Sequence, residues 1–280
     1  MRAPGLVEAN VLFFDSVAAT YEDWAGGLHR RVAQRLVDLV SARAGERVLD
    51  VGCGTGLVTH PIADAVGEPG PVIGIDVSEA MLVRARQGAR ANTSFVLQSA
   101  DHHMPFRDRS FDLVTFGDSL AYLASPSRAL REAARLTRPG GRIGLALRIR
   151  SLATAAQQEF FHILEELNES HPLVIPRPGP ELVDMGEKPV IAHMLNEAGF
   201  EQVQTTTMAT GERMASARTW VDLMSGLGPR PHALVTTLGP QMRRQLEAWV
   251  EREMGKLGED AFHYHEAFTF ALARRSDDPN

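Results

Sequence analysis

The nine residues Val48-Leu49-Asp50-Val51-Gly52-Cys53-Gly54-Thr55-Gly56 constrain this chain more than any other stretch. An apolar strand ends at Asp50, three glycines follow at alternate positions, and a helix opens behind them. Glycine tolerates positive φ and lets a ligand approach the backbone, and the N–H groups of a helix start point at whatever sits in front of them. The pattern predicts a site for a nucleoside carrying a charged group. The glycines alone do not say which one.

The surrounding pattern alternates strand and helix. Strands are expected at 46–50, 72–76, 94–98, 111–116, from Arg142 to about Leu147, near 200–208 and at Ala267–Ala273. Between them lie helices at 55–66, from Ser78 to about Gly88, and from Ser125-Pro126 to Leu136. Pro61 must either kink the first of these or mean that its first turns are short. Ahead of the first strand, His29, Val32, Ala33, Leu36, Val37 and Val40 recur at helical spacing. Short βαβ links imply a doubly wound, mostly parallel, seven-stranded Rossmann-like sheet, with a ligand beyond the carboxyl ends of its strands.

The domain reading is an N-terminal flap (1–28), a cofactor-binding core (29–150), a cap helix and loop (151–187), a core continuation (188–208), a helical cap insertion (209–262), a final core strand (263–275) and a frayed tail (276–280). Two amphipathic helices are expected in the insertion, separated by Gly226, Gly228, Pro229 and Pro231.

A chain of 280 residues with 44% hydrophobic content can bury a full core. The net charge of −6 and the lack of a basic run weigh against nucleic acid. No apolar stretch reaches membrane-spanning length, and Glu8 and Asn10 interrupt any signal core. The single cysteine, Cys53, excludes an intrachain disulfide. These features predict a cytoplasmic protein without a membrane partner.

In their order and separation, four segments resemble the class I S-adenosylmethionine-dependent methyltransferases, particularly their small-molecule branch. They are Val48–Gly56, Gly74–Leu82, Met104-Pro105-Phe106 with Ser110–Val114, and Leu136–Gly141. The resemblance implies S-adenosyl-L-methionine as cofactor. It covers about residues 29–150 well and resumes weakly at Leu195–Phe200.

Within that frame, Asp76 ends strand two about twenty residues beyond the glycines, where a carboxylate can accept both ribose hydroxyls. Val77 and Met81 offer apolar contact to adenine. Gly52, Cys53 and Gly54 lie along the methionine part, and Asp50 lies near its ammonium or ties down the loop. Phe116 and Gly117 touch the cofactor through backbone. Asp101 is the choice for the adenine amino group, with the His102 N–H on a ring nitrogen. The family usually has one more residue between that acid and Pro105, so either the loop is shortened or Ala100 takes the usual place. Ser78 reads as a helix cap. Nicotinamide binding fits less well, since Asp50 would sit badly beside a pyrophosphate.

Methyl transfer to an electron-rich acceptor relies on positioning, with a base only for some acceptors. Phe116, Gly117, Asp118, Ser119 and Tyr122 leave strand four beside the expected methyl. Trp24, Ser119, Tyr122, Phe161, Trp220 and Met224 are the substrate-binding candidates, although the distal aromatics could instead pack one cap helix on another. His162 is the first choice of base, with Tyr21 and His103 beside it; His102, His171, His263 and His265 are further histidines. No cluster has metal-ligand spacing. The apolar cap fits a medium-sized, partly apolar small molecule accepting methyl on O, N or C. The same apolar stripes could face a second subunit, so a homodimer stays open. The rivals are a cofactor-binding scaffold or non-methylating enzyme, and a macromolecular methyltransferase.

Overall fold

The computed structural model describes residues 5–170 and 185–276. In chain order these form α1 (Leu6–Val17), α2 (Trp24–Val40), β1 (Val48–Val51), α3 (Thr59–Val66), β2 (Val72–Asp76), α4 (Glu79–Gln87), β3 (Thr93–Leu97), β4 (Phe111–Gly117), α5 (Pro126–Leu136), β5 (Thr137–Arg148), α6 (Ala155–Ser170), α7 (Lys188–Glu197), β6 (Phe200–Arg213), α8 (Ala217–Ser225), α9 (Pro229–Thr236), α10 (Pro240–Gly255) and β7 (His263–Arg275). The seven strands run in the order β3-β2-β1-β4-β5-β7-β6, parallel except for β7. Among the described residues, no helix is long and apolar enough to cross a membrane.

Period-two alternation divides the strands between two apolar layers. Val48, Leu113, Ala146, Phe268 and Phe270 face α2 and α3, packing on Leu28, Leu36, Val40 and Ile62. Leu49, Val114, Phe116, Ile143 and Leu145 face α5 and α7, packing on Leu130, Ala133, Ile191 and Leu195. Every one of these side chains is buried. The central strands β1, β4 and β5 are thus covered on both faces over most of their length, which leaves their ends to carry a site, whereas the edge strands β3 and β6 are partly exposed.

A third apolar cluster forms the cap. Phe160, Ile163 and Leu164 of α6 meet Trp220, Val221 and Met224 of α8, Leu234 of α9, and Leu246, Val250 and Met254 of α10. The long β6–β7 ladder supports it, pairing as far as Arg213 with His263, and Met214 N–H closes the insertion on Phe262 O at 3.0 Å.

Two local expectations are corrected. The first helix after the glycines starts at Thr59, so Pro61 falls in its opening turn, where a missing N–H costs no intrahelical bond. The proline-bearing separator in the insertion is itself a helix, α9, with Pro229 in its first turn. The loop expected over 170–187 falls largely outside the described residues.

Gly144 lies where α2 crosses β5. A Cβ there would meet Val40 Cγ1 at 2.3 Å and Leu36 Cδ1 at 3.4 Å. Gly144→Val should lower unfolding stability by about 1–3 kcal/mol through overpacking. Urea denaturation would show this as an earlier midpoint at unchanged slope.

Candidate active site

The turn after β1 runs through three left-handed glycines, Gly52 (φ 69°), Gly54 (φ 54°) and Gly56 (φ 90°). Neighbours hold it by its backbone: the Gly52 and Cys53 N–H groups both donate to Ile75 O, at 2.8 and 3.0 Å. A Cβ at Gly52 would strike Ser119 Cβ at 2.4 Å, whereas at Gly54 it would meet nothing within 4 Å. Gly54 thus faces open space, and its N–H donates to Asp76 Oδ2 at 2.8 Å.

That space is a cleft of about 690 Å³ beyond the ends of β1, β2 and β4. Gly52, Gly54, Asp76, Val77, Met81, Asp101, Gly117 and Ser119 line it. Asp76 Oδ1 accepts from Ser78 N–H at 2.9 Å, so each carboxylate oxygen has one backbone partner and lone pairs to spare. Burial raises its pKa. Ser78 caps α4, accepting from Met81 N–H at 3.1 Å. Asp101 also lines the cleft, but its Oδ1 accepts from Ala124 and Ser125 N–H at 2.7 and 3.3 Å, tying down the entry to α5. Ala100 lines the cleft beside it.

Behind the turn lies a smaller recess bounded by Tyr21, His29, Asp50, Cys53, Thr55 and Asp118. Asp50 accepts there from Thr59 Oγ1 at 2.6 Å and Thr115 Oγ1 at 2.8 Å. Burial pushes its carboxyl up to about 6 against those two hydroxyls. The Cys53 thiol is buried, with its pKa pushed up by burial. Thr55 Oγ1 is buried without a hydrogen-bond partner. An orphaned hydroxyl beside a glycine turn is what an absent polar ligand leaves. Together with the free lone pairs of Asp76, it fits the polar ends of S-adenosylmethionine.

A larger chamber of about 1590 Å³ adjoins the cleft under the cap. Asn10, Asp118 and Tyr122 line both cavities. The chamber wall is apolar at Leu6, Ala9, Ile149, Phe161, Leu227 and Pro229, and charged at Arg148, Arg150 and Glu266. Arg148 sits between two carboxylates, with Nε 3.0 Å from Glu266 and Nη2 3.7 Å from Asp118. Burial pushes Asp118 up to about 6, opposed by Arg148 and reinforced by Glu266.

Helix α1 roofs both spaces. Val7, Asn10 and Phe14 line the cleft, and Leu6, Ala9 and Asn10 line the chamber. Asn10 Nδ2 donates to Tyr122 O at 2.6 Å, and Asp15 accepts from Ser78 Oγ at 2.6 Å. Tyr21 lines both cleft and recess and stacks on His29 at 4.0 Å. Burial and the neighbouring Arg148 lower the His29 pKa to about 3, so its ring stays neutral.

Other sequence-derived candidates are placed elsewhere. Phe116 is a buried core residue packed toward α5. His102 and His103 are exposed, His103 lying 3.3 Å from Glu132. His162 stands on the outer face of α6, 3.0 Å from Glu166, and lines neither cavity. Trp220 and Met224 are fully buried among the cap helices. Trp24 bridges core and cap, donating from Nε1 to Leu223 O at 3.2 Å with Arg148 5.9 Å over its ring. Phe161 and Tyr122 do line the chamber, as does His265. His263 is exposed, and His171 lies outside the described residues.

Sequence reasoning did not single out Asn10, Arg148 or Glu266, and noted Asp118 only as leaving strand four. A charged residue inside an otherwise apolar strand was the available signal, in Leu145-Ala146-Leu147-Arg148 and in Glu266-Ala267-Phe268.

The family model described as a methyltransferase domain matches residues 42–199. The chain is also 32% identical over 218 residues to the ubiquinone/menaquinone biosynthesis C-methyltransferase UbiE of Photorhabdus laumondii, covering 71% of this chain and 85% of that protein. This chain belongs to the methyltransferase domain family. It is an S-adenosylmethionine-dependent class I methyltransferase of the small-molecule branch. Solved structures share the fold: the [4+2]-cyclase SpnF (TM-score 0.58, 21% identity, 99% of each chain), and the Haemonchus contortus phosphoethanolamine N-methyltransferase 2 in complex with S-adenosyl-L-methionine (TM-score 0.56, 16% identity, 94% of this chain and 57% of that one).

Because α1 roofs the cleft, filling the cleft should slow backbone exchange of this methyltransferase across Leu6–Val17. Hydrogen–deuterium exchange with and without S-adenosylhomocysteine checks this. Unchanged exchange over that helix would place the cofactor elsewhere.

Proposed function

We propose that this methyltransferase places a medium-sized, partly apolar, hydroxylated acceptor in the chamber and methylates it there. The carrying observation is that Asn10, Asp118 and Tyr122 line cleft and chamber alike, so the two spaces abut beside the cofactor's expected methyl group. The chamber's polar groups cluster at that junction, where Asp118, Arg148, Glu266 and the buried Gln157 lie close together. The rest of its wall is apolar at Leu6, Ala9, Phe161, Leu227, Pro229 and Pro231, broken by Arg150, Gln158, His265 and Arg230, the last paired with Glu165. An acceptor with one polar end and an apolar body fits this gradient polar end first. The UbiE relative is named for C-methylation in ubiquinone and menaquinone biosynthesis, and that name, carried to this chain, favours a hydroxylated ring.

Asp76 would hold the ribose through its spare lone pairs, Val77 and Met81 would flank the adenine, and Asp101 or the backbone at Ala100 would meet its polar edge. Gly54 lets backbone close on the cofactor, Gly52 and Gly117 line the cleft while making room for Ser119 and Val58, and Thr55 and Tyr21 reach the cofactor's methionine end. Asp50 braces the turn through Thr59 and Thr115, one hydroxyl on each oxygen, and also lines the recess where the ammonium end would lie. When bound, S-adenosylmethionine supplies an electrophilic methyl group. The chain aligns the acceptor with it and excludes water under α1 and the cap.

Asp76→Ala removes two charge-assisted hydrogen bonds and the Gly54 tether, so affinity for S-adenosylmethionine should fall by on the order of 10²-fold. Calorimetry reads this directly, and unchanged affinity would discard the ribose assignment. Transfer of labelled methyl from S-adenosylmethionine to 2-naphthol or 4-hexylphenol, and not to a protein or RNA fraction, is the outcome expected of the acceptor reading. Label in macromolecules alone would reverse it.

A further inference from the structure

We infer that the Asp118 carboxylate takes the acceptor's proton during methyl transfer, and that Arg148, anchored by Glu266, is the positioning residue that keeps that carboxylate aimed at the junction. This rests on the chamber being the acceptor site, and assigns the chemistry at its inner end.

Three geometric observations carry it. Among the described residues, Asp118 is the only acidic one that lines the cleft, the chamber and the recess alike. It is therefore the acid placed where an acceptor hydroxyl must lie if it is to face the cofactor. Its backbone is left-handed (φ 61°) immediately after β4, a conformation that costs energy for a residue with a Cβ. Such strain persists only where the surroundings impose it, and here it turns the side chain away from the strand and into the junction. Finally, its hold on Arg148 is loose. The guanidinium is 3.0 Å from Glu266 but 3.7 Å from Asp118, so Glu266 takes the direct contact. A carboxylate fully paired with arginine is a poor base; one held at a distance keeps a lone pair for a proton.

Every charged or titratable group facing Asp118 fits this assignment. Arg148 approaches from β5 and Arg150 from the segment after it, and both favour the ionised form. Glu266 of β7 opposes it. The phenols of Tyr21, Tyr122 and Tyr264 feel the Asp118 charge and are held neutral by burial and by that charge. Burial adds to Glu266, and the carboxyl stands at about 6. It is thus ionised at neutral pH yet close enough to neutrality to hold a proton. The step balances: the acceptor O–H proton passes to an Asp118 oxygen, the acceptor's electron pair forms the bond to the methyl carbon, and the carbon–sulfur pair stays on sulfur; where a ring carbon conjugated with the oxygen attacks, its C–H proton is then lost to solvent as Asp118 returns its proton to the oxygen.

The test combines an equilibrium reading and a kinetic one on the full chain. With carboxyl-¹³C aspartate and S-adenosylhomocysteine bound, the resonance lost in Asp118→Asn should titrate near pH 6, well above ordinary aspartates. In Glu266→Gln it should titrate at lower pH, because Arg148 then has only Asp118 to pair with. Turnover of 2-naphthol should rise with pH through the same value, since the base works when ionised. That acid limb should move down in Glu266→Gln. Asp118→Asn should cut turnover by about 10²–10⁴-fold and abolish the limb, while affinity for S-adenosylhomocysteine, which lacks the sulfonium charge, changes far less. A purely structural Asp118 would leave the acid limb in place in Asp118→Asn. That result, or titration in the ordinary aspartate range, overturns the inference. If Asp118→Asn does not fold, the shift between wild type and Glu266→Gln decides alone. A wild-type enzyme that methylates neither phenol counts against the acceptor reading, and the carboxyl titration then still decides the role of Asp118.

Discussion

Three of the first five residues in the turn between β1 and α3 carry no side chain, and the cofactor site depends on how neighbours hold their backbone. These three left-handed glycines would be free in an unfolded chain and are costly to fix. Ile75 O takes two of the turn's N–H groups, and Asp76 takes a third from Gly54. Below it, Asp50 gathers hydroxyls from α3 and β4. β1, β2 and β4 are neighbours in the sheet, so one parallel register places all of these partners at the same level. The glycine pattern is therefore useful only on a strand flanked on both sides, which is the position β1 occupies.

Holding the turn in this way places buried acids close together. Asp50, Asp76 and Asp118 all have their pKa values raised by burial at the carboxyl ends of β1, β2 and β4. Buried like charges are expensive unless something positive or polar answers them. Backbone N–H groups answer Asp76 and threonine hydroxyls answer Asp50. Asp118 and Glu266 have Arg148 between them, two carboxylates to one guanidinium. A site with surplus negative charge suits a ligand that brings a positive one, and S-adenosylmethionine does so with its sulfonium.

What was legible in the sequence follows the same division. Strand periodicity, proline positions and the glycine turn are local signals, and they place β2 at residues 72–76 and begin α5 at Pro126 as the structure has them. Ser78 is legible as a cap because its partner, Met81, is three residues away. The acceptor side is not local. Asp118 is turned into the junction by a left-handed backbone that no neighbour in the sequence announces, and it meets Glu266 only because β7 is inserted antiparallel beside β5. His162 and Trp220 show the opposite case. Both lie at helical spacing suited to a cap lining, but the α6 face that meets α8 and α10 takes Phe160 and Leu164 inward and leaves His162 outside. Trp220, at the centre of that packing, never reaches the chamber.

The N-terminal segment makes the two sites one. α1 covers cleft and chamber together, and the turn behind it passes through three consecutive left-handed residues, Ala25, Gly26 and Gly27, before α2 straightens. That turn sends Tyr21 onto His29 and His29 onto Trp24, whose ring lies under Arg148. A continuous stack thus runs from the wall of the cofactor cleft to the guanidinium that orients Asp118. Because His29 remains neutral, the stack carries no charge that would compete with Arg148 for the acids. Helix α1 meets the first ring of this stack through Phe14, 6.3 Å from Tyr21, so the roof, the cofactor cleft and the acceptor end share one set of contacts.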